Sequence, residues 1–345
     1  MALGSRLETG RRATLGALAL ALASALAPLP APAQDVGGPT DAGILAVAGR
    51  QVAWLNLEAP RPRPVTNLAA PAGAVDVGAR PGFPRAIISV ASAFPGGGLR
   101  GADLMLLDVN SGELSPLEKR AEARESFVSP TWWPDGNDVL FQRVDMQGQT
   151  VGAPGQEVPR YPSRIEVVRA NGEDRAVLID DGREPSPAPD GSRIVFARTT
   201  RTGAAILSVP NGGGPEQVLV PMGRFADVAY PRFSPSGDQI AFVAPQSGLN
   251  GLAPSEASTF GWLTFGPSIA EAHGIPWDPW IMNADGSNLH RVAVVAGDEP
   301  SVSWSPDGAS LFVYSGIGSF VVDAATGDTT PLTFLTGYGP TNWLT

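Results

Sequence analysis

Cysteine is absent from this chain, lysine occurs once (Lys119) and histidine twice (His273 and His290). The first absence excludes disulfides, thiol nucleophiles and a bacterial lipoprotein anchor, leaving a core that must hold by packing alone. The others leave little for metal or imidazole chemistry. His290 reads as a surface strand residue, and only His273, near Glu271 and Asp278, stands where a metal or acid–base role could be sought. No Gly-x-Ser-x-Gly elbow and no phosphate-binding loop occurs, so the sequence implies no cofactor and no metal. Helical periodicity is also missing beyond the N-terminus, apart from a short stretch near Ser268 to His273. Positive charge is scarce, with 24 Lys and Arg against 34 Asp and Glu. An acidic chain without a basic stripe lacks the phosphate-neutralising surface on which nucleic-acid affinity rests, and it has no electrostatic pull toward anionic lipid.

The N-terminus reads as a targeting segment. Arg6, Arg11 and Arg12 precede an apolar run from Ala13 to Leu26, and Ala31-Pro-Ala33 supplies small residues for cleavage. That run is shorter than the ~20 residues a membrane span needs, and Pro28, Pro30 and Pro32 end it. The expected organisation is a signal peptide over 1–33, a linker over 34–41 and one domain over 42–345, delivered to the periplasm or beyond. Export by the general or the twin-arginine route stays open, although Ala13-Thr14-Leu15 lacks the bulky pair usual after twin arginines.

What is abundant is repetition. Pro130-Thr-Trp-Trp-Pro-Asp-Gly136 returns as Ser186-Pro-Ala-Pro-Asp-Gly191, Pro231-Arg-Phe-Ser-Pro-Ser-Gly237 and Val302-Ser-Trp-Ser-Pro-Asp-Gly308. Apolar runs follow each copy: Val139-Leu-Phe141, Ile194-Val-Phe196, Ile240-Ala-Phe242 and Leu311-Phe-Val313. Proline at the second, Asp at the third and Gly at the fourth position specify a type I turn between two strands. A second hairpin follows the better copies, with turns at Asn171-Gly172, Asn211-Gly212, Asp285-Gly286 and Thr326-Gly327. Asp108-Val-Asn-Ser-Gly-Glu113 and Asp323-Ala-Ala-Thr-Gly-Asp328 read as such turns too, since their spacing fails the calcium-loop pattern. Two hairpins in series make a four-stranded antiparallel blade, the unit of a β-propeller.

These phrases carry a family resemblance. Trp304-Ser-Pro-Asp-Gly308 with Ile240-Ala-Phe242, and Ile281-Met-Asn-Ala-Asp-Gly-Ser-Asn-Leu289, are similar to the WD40-like repeats of TolB-type periplasmic proteins. The likeness runs from about residue 42 to 345 and is faint before 118, where Gly78-Ala-Arg-Pro-Gly-Phe83 is a decayed copy. It implies an all-β, six-bladed propeller. The family's N-terminal α/β domain has no counterpart in the expected organisation, so the fold transfers better than TolB's own task. Counting agrees with six: four clear units, a degenerate one at about 71–118, and the opening strands Ile44 to Asn56. Gly339-Pro-Thr-Asn-Trp343 resembles a first strand without a second, so the C-terminus is expected to close the first blade near Trp343.

Unequal spacing locates the interruptions. The turn prolines Pro134, Pro189, Pro235 and Pro306 are 55, 46 and 71 residues apart. The extra residues fall at about 246–278 and 144–163, with a third insertion at about 93–101, all between the second and third strands of a blade. Those connections emerge on the face that also carries the links between blades. The aromatics of the longest insertion, Phe260, Trp262, Phe265, Trp277 and Trp280, form either a partner-binding cluster or a cap that buries itself. Strand alternation sends Thr131, Ser186, Arg232, Ser303 and Asn342 toward the central channel, with Ser129, Glu184, Tyr230 and Ser301 one step along. This lining either holds water, an ion or a small ligand, or is a solvated wall with Arg232 paired to Glu184. The resulting expectation is a secreted or periplasmic monomer without catalytic activity that binds a protein or peptide of the cell envelope through its elaborated face. The alternatives are a lyase, lactonase or glycan-active hydrolase working at the channel mouth, and a carbohydrate- or cell-wall-binding module.

Overall fold

The computed structural model describes residues 43–57, 62–69, 72–80, 82–93, 100–147, 149–151, 158–200, 203–245, 276–297, 300–332 and 335–344. The expected signal peptide, linker and most of the long insertion, including His273, Phe260, Trp262 and Phe265, lie outside them. Within the described residues every element is a strand. Six sheets of four antiparallel strands form the blades. The first comprises β1 (Gly43–Ala48), β2 (Gln51–Leu55), β3 (Arg63–Pro64) and, innermost, the C-terminal strand β26 (Asn342–Leu344). The second is β4 (Gly73–Ala79) to β7 (Leu114–Glu118). The third takes β8 (Glu125–Trp132), β9 (Asp138–Asp145), β12 (Ser163–Arg169) and β13 (Ala176–Asp180). The fourth runs from β14 (Arg183–Pro187) to β17 (Gln217–Phe225), the fifth from β18 (Ala229–Phe233) to β21 (His290–Arg291), and the sixth from β22 (Ser301–Trp304) to β25 (Thr329–Leu332).

The ring closes as the sequence predicts. β26 pairs with β1 through Gly43–Leu344, Ile44–Trp343 and Leu45–Asn342. The innermost strands β26, β4, β8, β14, β18 and β22 each touch the next, and β22 returns to β26. The repeated phrase is the turn it promised: the amides of Gly136, Gly191, Gly237 and Gly308 donate to Trp133, Ala188, Ser234 and Ser305, three residues back, at 2.9 Å. These glycines adopt φ between 69° and 82°, a region that side-chain-bearing residues resist. The other hairpin turns are fastened by aspartates, as where Asp108 Oδ1 accepts the amides of Asn110 and Ser111.

The core is divided among the seams. Six apolar clusters fill the six contacts between adjacent blades, among them Leu45, Trp54, Val77 and Ile88 between the first and second. Phe141, Phe196 and Phe242 stand five residues after their turn glycines, and all are fully buried. Each such side chain contributes roughly 1.5–3 kcal/mol by leaving water. In the sixth blade the phenylalanine falls one residue earlier, at Phe312, and alternation sends it to the other seam, where it stacks 5.9 Å from Tyr314.

Candidate functional site: the channel and the elaborated face

Three innermost strands share an irregularity that shapes the channel. Ser129, Glu184 and Tyr230 each precede a proline, each adopt φ near 50–54°, and each coincide with a slip in register against the neighbouring strand. These are β-bulges, with a left-handed residue of a kind that costs about 1–3 kcal/mol unless its surroundings hold it. What holds it is the preceding blade. Asp76 Oδ2 accepts the Ser129 amide at 2.8 Å, Gln142 Oε1 the Glu184 amide at 3.3 Å, and Glu184 Oε2 the Tyr230 amide at 2.6 Å. The remaining seams carry links as well: Trp304 Nε1 donates to the Arg232 carbonyl at 3.1 Å, Ser303 and Thr341 hydroxyls meet at 2.8 Å, and Asn342 Nδ2 donates to the Val77 carbonyl at 2.7 Å. A polar belt therefore crosses all six seams.

Charge is concentrated on this belt. Arg183 donates to Glu184 Oε1 at 2.8 Å and also reaches Asp227 and the Val228 carbonyl. Burial works against the Arg183 charge, but Glu184 and Asp227 outweigh it and raise its pKa. The expected pairing of Glu184 with Arg232 is thus replaced by one with Arg183. Neighbours in a regular strand point to opposite faces; the bulge at Glu184 cancels that alternation. Arg232 instead directs Nη1 at the carbonyls of Pro231, at 3.1 Å, and of Glu184 and Pro185, both at 3.5 Å. Its guanidinium lies 5.6 Å from the Tyr230 ring centroid. Burial lowers the Arg232 pKa, opposed by Glu184, Tyr230 and Asp76, and burial pushes the Tyr230 phenol well above its usual range. Asp76 is pushed up to about 6 by burial, with Glu184 adding to the shift and the Ser129 amide and Arg232 opposing it.

Of the channel residues expected from the sequence, Glu184, Tyr230 and Arg232 come together as one charged group. Ser186 Oγ accepts the Phe233 amide at 3.4 Å, Ser303 is tied to Thr341, and Thr131 is half-buried on β8. Ser301 is fully buried, its hydroxyl without a hydrogen-bond partner among the described residues. Asp76 and Arg183 were not anticipated. Asp76 had a signal: it precedes Pro81 by five residues, as Ser129, Glu184, Tyr230 and Ser301 precede Pro134, Pro189, Pro235 and Pro306. Among the described residues no three His, Asp or Glu side chains gather as metal ligands.

The interruptions share one face. They separate β5 (Arg85–Ala93) from β6 (Arg100–Asp108), β9 from β12 and β19 (Gln239–Pro245) from β20 (Trp277–Asn283), in each case the second and third strands of a blade. The middle one folds into a hairpin of β10 (Gln149–Val151) and β11 (Val158–Arg160). Tyr161 beside it and Tyr338, on the link into β26, are each about half exposed. Trp277 and Trp280 are half-buried on β20. Trp280 meets the Phe225 ring edge-on at 4.9 Å, and Trp277 packs on the cluster between the fifth and sixth blades.

No family model and no curated protein sequence matches this chain. Solved structures do. TolB from Acinetobacter baumannii superposes with a TM-score of 0.58 at 16% identity, over 88% of this chain and 66% of that one. This chain carries a TolB-like propeller. A TolB from Agrobacterium tumefaciens gives 0.55 at 13% identity, over 85% of this chain and 89% of that one. A chain of a nidogen–laminin complex gives 0.57 at 13%, over 87% and 98%. At these identities the likeness is one of fold. The TolB-like propeller therefore defines the scaffold, and its own residues must carry any functional reading.

Proposed function

We propose that this TolB-like propeller is an exported, non-enzymatic binding protein that docks a protein or peptide of the cell envelope on its elaborated face. The observation that carries this reading is the one-sidedness of the interruptions. Three separate blades are interrupted, always between the second and third strands, while the Pro-Asp-Gly turns of the opposite face stay short. Loops gathered on one face of a rigid ring are where a scaffold of this kind places recognition. The half-exposed Tyr161 and Tyr338 on that face support it, because tyrosine combines apolar area with a polar handle and is enriched at interfaces. Phe260, Trp262, Phe265, Trp277 and Trp280 of the longest insertion supply the proposed anchors, and the segment before Gln34 supplies the export signal.

The test is capture from envelope extract by the immobilised full-length propeller. One partner should be retained by the wild type and by a variant of the opposite face, Asp135→Ala with Asp190→Ala. The same partner should be lost with Trp262→Ala combined with Phe265→Ala. Equal capture by that last variant would remove the insertion from the interface.

A further inference from the structure

We propose that the channel of this propeller binds a small zwitterion of the α-amino acid class, its carboxylate on Arg232 and the Tyr230 hydroxyl and its ammonium on Asp76. The two charged residues belong to opposite blades, since β4 and β18 stand three places apart in the ring of six. Each is incompletely satisfied. A guanidinium has five N–H donors in a fixed fork. In Arg232 only Nη1 is engaged, by three carbonyls, and no carboxylate forms an ion pair with it among the described residues. The other arginine of the belt, Arg183, is paired with two. Asp76 uses Oδ2 for the Ser129 amide, has no cation in ion-pair contact among the described residues, and leaves Oδ1 3.0 Å from where a Cβ on Gly339 would stand. The Tyr230 hydroxyl has no hydrogen bond among the described residues. Asp76 and Arg232 nonetheless lie within each other's field.

The arrangement selects the charge type of the ligand. A simple anion at Arg232 would sit in the field of Asp76 and Glu184, and a simple cation at Asp76 would face Arg232. A molecule with both charges answers each with its complement. Arg232 is already fixed by the carbonyls and the Tyr230 ring, so little side-chain freedom remains to be lost on binding.

The test uses the full chain and a thermal-shift panel of the twenty standard L-amino acids at millimolar concentration, with acetate and methylammonium as single-charge arms. At least one amino acid should raise Tm, and that one is then titrated by calorimetry; acetate and methylammonium should leave Tm unchanged. Arg232→Gln and Asp76→Asn should each weaken binding by at least about tenfold. Tyr230→Phe keeps the ring and the backbone amide that fix the bulge, so it reports on the hydroxyl even if the charge variants fold poorly, and it should weaken binding roughly two- to tenfold. A panel without a hit overturns the proposal. So do a shift given equally by acetate and an affinity unchanged in Tyr230→Phe.

Discussion

Asp76 is a carboxyl that the fold would sooner keep protonated. Its ordinary value is 3.8 and burial takes it to about 6, so between those pH values the folded state binds more protons than the unfolded chain. Stability contributed by this group therefore falls as pH rises through that window and is level above it. Asp76→Asn keeps an acceptor for the Ser129 amide and removes the charge. Its stability relative to wild type should climb by up to about 3 kcal/mol between pH 4 and pH 7. Urea unfolding at several pH values reads this directly, and parallel profiles for the two proteins would refute it. Glu184 matters instead as a double acceptor, from Arg183 on one oxygen and from the Tyr230 amide on the other. Glu184→Gln preserves one acceptor and should cost about 1.5–3 kcal/mol in the same measurement at neutral pH. Both residues mark a boundary of what the sequence discloses. Glu184, Tyr230 and Arg232 are located by counting back from the turn prolines, but their partners are not, because alternation assumes a regular strand and the bulges break it. Asp76 was obscured because its copy of the phrase, Gly78-Ala-Arg-Pro-Gly-Phe83, places glycine directly after the proline and so lacks the Pro-Asp-Gly or Pro-Ser-Gly turn that makes the others recognisable.

At the scale of the element, the strands and turns were legible because their chemistry is local. Pro-Asp-Gly sets a turn whatever surrounds it, and the apolar run after it must find a seam. The degenerate second blade was legible only in outline, since its residues answer to the neighbouring blade instead of to its own turn. Gly78 shows this. A Cβ there would lie 2.1 Å from the Pro130 carbonyl oxygen, which belongs to the bulge of the third blade and cannot withdraw without breaking the Ser129–Asp76 contact. Gly82, four residues on, has φ +72° and open space around it. The two glycines are thus required for different reasons, one for room and one for conformation. Gly82→Ala should cost about 1–2 kcal/mol, the usual penalty of a left-handed residue. Gly78→Ala should cost about 3 kcal/mol or more, at the upper end of overpacking in a tight core. Thermal unfolding of the two variants side by side decides the matter: an equal loss would mean that the seam between the second and third blades yields where this packing says it cannot.

For the whole molecule, the decisive contact joins residues almost three hundred positions apart. Three residues of β26 supply the innermost strand of the first blade, and without them β1 would present an unpaired edge in which Ile44, Leu45 and Ala46 are fully buried in the intact ring. Two belt links would go with that strand, from Thr341 to Ser303 and from Asn342 to Val77, so the seams on both sides of the first blade would weaken together. Tyr314 adds a further tie across the closure, donating to the Val47 carbonyl at 2.7 Å. A chain ending at Pro340 should therefore lose more than a terminal strand usually contributes. Open apolar edges pair with whatever strand is available, and the nearest is the same edge of another molecule. The truncated protein should elute from size-exclusion chromatography as oligomers and bind a hydrophobic dye, and its thermal transition should be broader than that of the full chain. If it stays a single species with an unchanged midpoint, the ring is held by its six apolar seams alone and the closing strand is dispensable.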